Sequence, residues 1–299
     1  MKSRVAGTKR VFIGTKLQWI SIVFVLPALL LNLIFYIYPL VQSLILSFYD
    51  VPMLGDKMFT GLENYRQLFQ DAAFWKALRF TFLYILIVTP PLFLLGLALA
   101  LLVNARLPLI TFFRSVYFLP VIISMVSCSL VWLWAYNDVY GLVNYYLMEL
   151  HLIDKPVVWM AEAGTSLPAI TFMVTWKVAG FTMIILLSAL QSIPSDIYEA
   201  SKIDGANRWK TILYITLPIL KPAIVLALVV SVIGSALAFE QFVIMTQGGP
   251  SNSTTTIVNL IYDTSFKYYK FGYGSAMTIV LLLILLLLSA IQVKVLSRN

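Results

Sequence analysis

The sequence predicts an all-α membrane protein: a polytopic bundle of six transmembrane helices, with one polar loop of short helices between the fourth and the fifth. Three observations predict it. Hydrophobic residues fill 61% of the 299 positions and charged residues 11%, against roughly 25% charged in a soluble domain. Six apolar runs are long enough to cross a hydrocarbon core of roughly 30 Å, which takes about 20 residues at about 1.5 Å each. Backbone amides in lipid must pair within their own segment, so runs of this length are helices rather than strands. Residues 199–218, EASKIDGANRWKTILYITLP, form a charged island between two of those runs and must lie in water.

Taken in order, residues 1–16 are a basic tail. The first run, 17–48, is about twice as long as a signal-peptide core and lacks an A-x-A-like exit, so it reads as an uncleaved first helix. The second run is 77–103 and the third 115–136; Pro27 and Pro39 in the first, Pro90 and Pro91 in the second and Pro120 in the third are tolerable kinks, because neighbouring helices satisfy the freed carbonyls. The fourth, fifth and sixth are 167–190, 222–245 and 272–295. Between the first two runs, FTGLENYRQLF reads as a short surface helix with its aromatics at the interface. Residues 137–166 contain GLVNYYL and the sole histidine, His151, read as solvated. After the fifth run comes MTQGGPSNSTTT, whose Gly248, Gly249 and Pro250 mark a turn. No internal repeat or linker interrupts 17–299, which reads as one membrane domain.

Charge sets the expected orientation. The tail (Lys2, Arg4, Lys9, Arg10, Lys16), the loop after the second run (Arg106, Arg114), the polar island (Lys202, Arg208, Lys210, Lys221) and the C-terminus (Lys294, Arg298) hold thirteen basic residues. The alternate loops hold seven, so both termini and the island are expected in the cytoplasm. The net charge of +8 is dispersed at segment ends, which speaks for topology and against nucleic acid. Cys128, the only cysteine, sits in an apolar run as a small hydrophobe. There is no G-x4-G-K-S/T phosphate loop, no H-E-x-x-H and no clustered Cys/His, so neither ATP binding, a metal nor a histidine-based triad is expected on this chain.

The polar loop, 191–221, reads as two short helices at a turn. Ser195 suits an N-cap, Asp196 and Glu199 suit the positive end of the first helix, and Gly205 suits a positive-φ stop. Residues 207–214 form the second helix, which Pro218 ends. Two charges lie in apolar runs. Lys177 lies roughly 15 Å into the fourth, where a basic residue costs on the order of 3 kcal/mol unless paired or wet; Glu240 lies near the outer end of the fifth. On the fifth run Gly234, Leu237, Ala238 and Gln241 recur at i, i+3, i+4 and i+7, one face of a helix; Lys177, Phe181, Ile184 and Ser188 make a face on the fourth. Gln241 can hydrogen-bond hydroxyls and Phe181 can stack on a sugar ring. Helix packing is the rival reading of each position.

The island has the spacing E-A-x4-G-x9-I-x-L-P, filled by Glu199, Ala200, Gly205, Ile215, Leu217 and Pro218. It resembles the coupling motif in permease subunits of bacterial ATP-binding-cassette (ABC) importers, and departs from it at Ser201, where a second Ala is usual. Gly61, Glu63, Asn64 and Tyr65, then Gly141 and Asn144, then Gly-Gly-Pro with Thr254–Thr256 are similar to the carbohydrate branch, the maltose, glycerol-3-phosphate and multiple-sugar permeases. The resemblance runs from Pro39 to Met277. It implies a cytoplasmic loop whose Glu199, Ala200, Ile203, Asp204, Gly205, Ile215 and Pro218 dock on an ATPase subunit. It also implies a path lined by Lys177, Phe181, Ser188, Gly234, Leu237, Ala238, Glu240 and Gln241. The implied partners are a second permease, two ATPase subunits carrying ATP and Mg, an extracytoplasmic solute-binding protein, and a disaccharide, oligosaccharide or polyol phosphate cargo, in a bacterial or archaeal plasma membrane. W-K-x-x-G also occurs in permeases for neutral sugars, so Lys177 does not imply an anionic cargo. The rival is an ion-coupled secondary transporter, which normally shows paired halves and intramembrane carboxylates where this chain has only Glu240.

Overall fold

The computed structural model describes residues 15–105 and 108–297; of the residues that set the expected orientation, Lys2, Arg4, Lys9, Arg10, Arg106 and Arg298 lie outside them, with the side chain of Lys16. Among the described residues four helices are long and apolar enough to cross a membrane, and up to six spans result if each of two bent helix pairs counts as one.

Helix α1 (Thr15–Asn32) runs through a π-helical turn, Leu33–Ile37, into α2 (Tyr38–Leu46). The turn has a local cause. The ring of Pro39 would collide with the carbonyl four residues back, at Phe35, and the wider π turn opens that position. From Val23 to Leu40 every side chain is exposed, so this helix stands apart from the rest of the chain. A two-residue hairpin, β1 (Tyr49–Asp50) with β2 (Met58–Phe59), leads to α3 (Glu63–Gln70). Helix α4 (Ala72–Val103) carries Pro90 and Pro91 within one 32-residue helix and starts on the Asp71 side chain, which accepts from the Ala73 amide.

The third predicted span is not one helix. Helices α5 (Ile110–Ile122) and α6 (Met125–Ala135) meet at 93°. Pro120 lies inside α5 and the break follows it, at Ile123 and Ser124, where the backbone is extended and Ser124 Oγ caps α6 by accepting from the Ser127 amide at 3.1 Å. Helix α7 (Leu142–Glu149) lies in the following loop, and α8 (Ala163–Gln191) is the continuous fourth span.

The polar loop folds as α9 (Ser195–Ile203), a turn, and α10 (Arg208–Thr211), extended through a second π turn, Ile212–Thr216, into α11 (Leu217–Ile219). Ser195 is not the cap. Pro194 occupies the capping position in extended backbone, and Ser195 Oγ turns to Asp196 instead. Nor does Pro218 end the helix: it follows the π turn by two residues as Pro39 does, and the break comes at Leu220, with a bend of 72° into α12 (Lys221–Ala236).

The fifth span also departs from prediction. Helix α12 stops at Ala236, residues 237–239 are non-helical, and α13 (Glu240–Met245) resumes. Sixteen residues cover only about 24 Å. The chain finishes with α14 (Ile257–Tyr262), a π turn Asp263–Lys267, and α15 (Phe271–Ser297).

Helices α4 and α8 pack along their lengths at the centre; α5 lies against α8, α12 against α4 and α15, and α2 and α3 against α15. One apolar cluster holds Phe80, Tyr84, Met173 and Phe242, a second holds Ala100, Met183, Leu190 and Leu220, and a third holds Leu68, Phe74, Tyr273 and Met277.

Candidate functional site

Helix α9 has two faces, and together they make the polar loop a rigid projecting elbow. Ile197 and Tyr198 pack against the second cluster, and Ser201 is buried with its Oγ donating to the Tyr198 carbonyl at 2.8 Å. The departure from the motif thus faces inward, where a small side chain is needed. On the opposite face Asp196, Glu199, Ala200 and Ile203 recur at i, i+3, i+4 and i+7, and all four are exposed. Gly205 ends the helix at φ +76°, a conformation that strains any residue with a Cβ. Asn207 then caps α10, its Oδ1 accepting from the Lys210 amide at 2.9 Å.

The tip of the elbow is apolar where water would be its only neighbour: Ile203 is 87% exposed and Trp209 74%, with Asp204 also exposed beside the turn. Ile215 is half-buried and Pro218 exposed on the stem. A cleft of about 480 Å³, lined by Leu101, Leu190, Tyr198, Lys202 and Arg208, separates the elbow from the ends of α4 and α8.

The residues expected to line a path separate into two groups. Lys177 is 6% exposed, and its Nζ donates to the Val121 carbonyl at 3.3 Å. That carbonyl is one of the last four of α5, left without an intrahelical partner by the break, and a cation suits the negative end of a helix. Three residues on, Gly180 lets the Tyr117 carbonyl approach so closely that an added Cβ would stand 2.3 Å from it. W-K-x-x-G is therefore the seam between α8 and α5. Phe181, Ile184 and Ser188, further along α8, are exposed.

On the fifth span the predicted four-residue helical face does not exist, because α12 ends at Ala236. Gly234 and Leu237 are exposed, whereas Ala238 and Gln241 are buried. The Ala238 carbonyl accepts from Thr256 Oγ1 at 2.8 Å, and Gln241 Nε2 donates to the Tyr84 hydroxyl at 3.4 Å inside the first cluster. Glu240 is exposed in the first turn of α13, where the break has created a helix N-terminus that favours a carboxylate.

The loop signatures are pins. Asn64 is buried and its Nδ2 donates to the carbonyls of Ser47 and Tyr49, both at 2.9 Å, while the Tyr65 hydroxyl shares a 2.7 Å hydrogen bond with Ser47 Oγ. Asn144 binds both backbone groups of Val157 and accepts from Trp159 Nε1 at 3.0 Å. Each asparagine locks a short helix to the adjoining chain. Among the described residues no group of His, Cys, Asp and Glu is placed to hold a metal ion.

This architecture has known counterparts. Residues 72–299 match the model of the binding-protein-dependent transport system inner membrane component. The chain belongs to that family. Over 273 residues the permease is 34% identical to the lactose transport system permease protein LacF of Rhizobium radiobacter, covering 90% of this chain and 91% of LacF. It is 35% identical to a probable ABC transporter permease protein of Pyrococcus horikoshii, over 87% of this chain and 90% of that one. It is 32% identical to the arabinooligosaccharides transport system permease protein AraP of Bacillus subtilis, over 91% and 86%. A crystal structure of a bacterial ABC transporter involved in the import of the acidic polysaccharide alginate has a chain with the same fold, at a TM-score of 0.80 and 24% identity, covering 95% of this permease and 96% of that chain. The permease is a multi-pass inner membrane component and a transport subunit rather than an enzyme.

Two features escaped the sequence. The break at Ile123 and Ser124 carries a signal in retrospect, since Ser124 precedes an apolar run as a cap does. The pairing of Gln241 with Tyr84 carries none.

Proposed function

We propose that this permease forms half of a sugar path in an ATP-driven importer, and that its elbow transmits the motion of an ATPase subunit to the membrane helices. The observation that carries the reading is the exposed face Asp196, Glu199, Ala200 and Ile203, set on a buried apolar root. Glu199 would meet a basic residue of the ATPase, Ala200 and Ile203 would fill its groove, and Asp204 and Gly205 would let the turn approach. Ile215 and Pro218 would carry the displacement through the bend at Leu220. ATP and Mg belong to two ATPase chains; a second permease supplies the other half of the path and an extracytoplasmic binding protein delivers the cargo. A second crystal structure with this fold, of a bacterial alginate ABC transporter in complex with an alginate pentasaccharide-bound periplasmic protein, supports delivery of the cargo by a binding protein.

Relatives named for lactose and arabinooligosaccharides support a disaccharide or oligosaccharide cargo. The exposed residues Phe181, Ile184, Ser188, Gly234, Leu237 and Glu240 are the path candidates this reading retains, with Lys177, Ala238 and Gln241 behind them as its frame. Residues 17–299 act as one membrane domain, loop 191–221 is the coupling element, and both termini and that loop face the cytoplasm, which agrees with the basic bias. The test is uptake of labelled lactose, maltose and arabino-oligosaccharides by cells with and without the intact chain. Chain-dependent uptake should stop on ATP depletion; uptake that survives depletion and collapses with the proton gradient would instead establish an ion-coupled carrier.

A further inference from the structure

The turn between α13 and α14 encloses a cavity of about 260 Å³, lined by Gln247, Asn252, Thr255, Asn259, Asp263 and Lys267 over Val243. It is smaller than the roughly 300–1,000 Å³ of a drug-sized ligand site, which limits it to one ring of a larger molecule. Its walls are held in place. Gln247, Ser251 and Asn252 all have positive φ, Lys76 Nζ donates to the Ser251 carbonyl at 3.0 Å, and Thr254 Oγ1 donates to the Gly249 carbonyl at 2.7 Å. Gly248, at φ +78°, would place a Cβ 2.8 Å from Thr255 Oγ1, so its lack of a side chain leaves this wall its shape.

The lining is chemically unfinished. Asn259 is only 5% exposed, yet its Oδ1 has no hydrogen-bond partner, and such a buried acceptor is destabilising until a donor reaches it. Rotation of the amide about its last bond presents either its acceptor or its donors to the cavity. Next to it Asp263 and Lys267 form an ion pair across one helical turn, and the hydrogen bond that the Lys267 ammonium donates to the Asp263 carboxylate holds it above its usual pKa. The two charges cancel and the other lining residues are neutral, so the cavity carries no net charge to draw in an ion of either sign. A neutral polyhydroxyl ring, whose vicinal hydroxyls each donate and accept, satisfies the carboxylate, the ammonium and the amides together.

We propose that this cavity is a subsite for one sugar ring of the cargo at the extracytoplasmic mouth, separate from the α8 and α12 surfaces named above. This rests on the sugar-importer reading and adds a place where the cargo pauses on leaving its binding protein. The test uses the assembled transporter in proteoliposomes, with Cys128→Ser and Asn252→Cys in the full chain, and reads the rate of external maleimide labelling. The panel sugar that the wild-type complex imports should slow labelling several-fold, and Asn259→Leu or Thr255→Val should raise the sugar concentration needed for protection by about two- to tenfold, the effect of one lost hydrogen bond. Thr255→Val sits in the wall and guards against a folding defect of Asn259→Leu. Labelling indifferent to an imported sugar overturns the subsite and leaves the importer reading standing, as does protection by sugar-free binding protein alone. A wild-type complex that imports no panel sugar overturns both.

Discussion

Thr256→Val probes the joint at which the fifth span breaks. Thr256 is fully buried; its Oγ1 donates to the Ala238 carbonyl at 2.8 Å and accepts from the Asn259 amide at 3.3 Å as the cap of α14. Valine keeps the size of the side chain and removes both bonds. A lost N-cap costs about 1 kcal/mol, and a buried carbonyl left without a donor about 1–3 kcal/mol, so the variant should lose about 2–4 kcal/mol. Thr256→Ser keeps the hydroxyl and gives up one methyl group, about 0.8 kcal/mol. Reversible unfolding of the full chain in mixed detergent, titrated with SDS, measures both. Equal losses for the two variants would refute the hydroxyl as the element that holds the break, and with it the explanation of why α12 stops at Ala236.

Gly180→Leu should separate α8 from α5, because its Cβ meets the backbone carbonyl of Tyr117, and should cost at least the 1–3 kcal/mol of an overpacked core in the same titration, whereas Phe181→Ala on the exposed side should stay within about 0.5 kcal/mol. Phe181→Ala and Leu237→Ala should nevertheless lower uptake, and unchanged transport kinetics in both would remove those surfaces from the path. Gln241→Leu takes away a long 3.4 Å bond together with an unpartnered Oε1, so stability should change by less than about 1 kcal/mol. In a Cys128→Ser background, an impermeant thiol reagent applied outside should modify Val139→Cys and spare Asp196→Cys; the reverse pattern would invert the orientation.

Runs of apolar residues made the number and order of spans legible, because hydropathy follows directly from the demand that lipid places on side chains and backbone. The breaks were not legible. Prolines are poor guides to them: the structure keeps Pro90 and Pro91 inside one helix and meets Pro39 with a π turn, whereas the chain bends at Leu220, two residues after Pro218, at Ile123 and Ser124 beyond Pro120, and at residues 237–239 with no proline nearby. Tertiary partners decide those points: Lys177 on the Val121 carbonyl and Thr256 on the Ala238 carbonyl. The same breaks undid the periodic face on the fifth run, since a spacing of i, i+3, i+4 and i+7 defines a face only where the helix is continuous. The elbow was more readable. Gly205 and the carboxylates Asp196 and Glu199 are local signals within ten residues of one another, whereas both caps differ from the sequence reading: Pro194 rather than Ser195 caps α9, and Asn207, read as helical, caps α10.

The most direct test of coupling is Ile203→Asp in the assembled transporter, read as ATP hydrolysis stimulated by the sugar-loaded binding protein. Because Ile203 is almost fully exposed, the change should leave the chain's own stability within about 0.5 kcal/mol, so a lost response reports the docking contact rather than misfolding. The variant should insert normally yet fail to bind the ATPase or fail to stimulate it. Full stimulated hydrolysis together with full uptake would mean that the elbow does not couple the ATPase to the membrane helices.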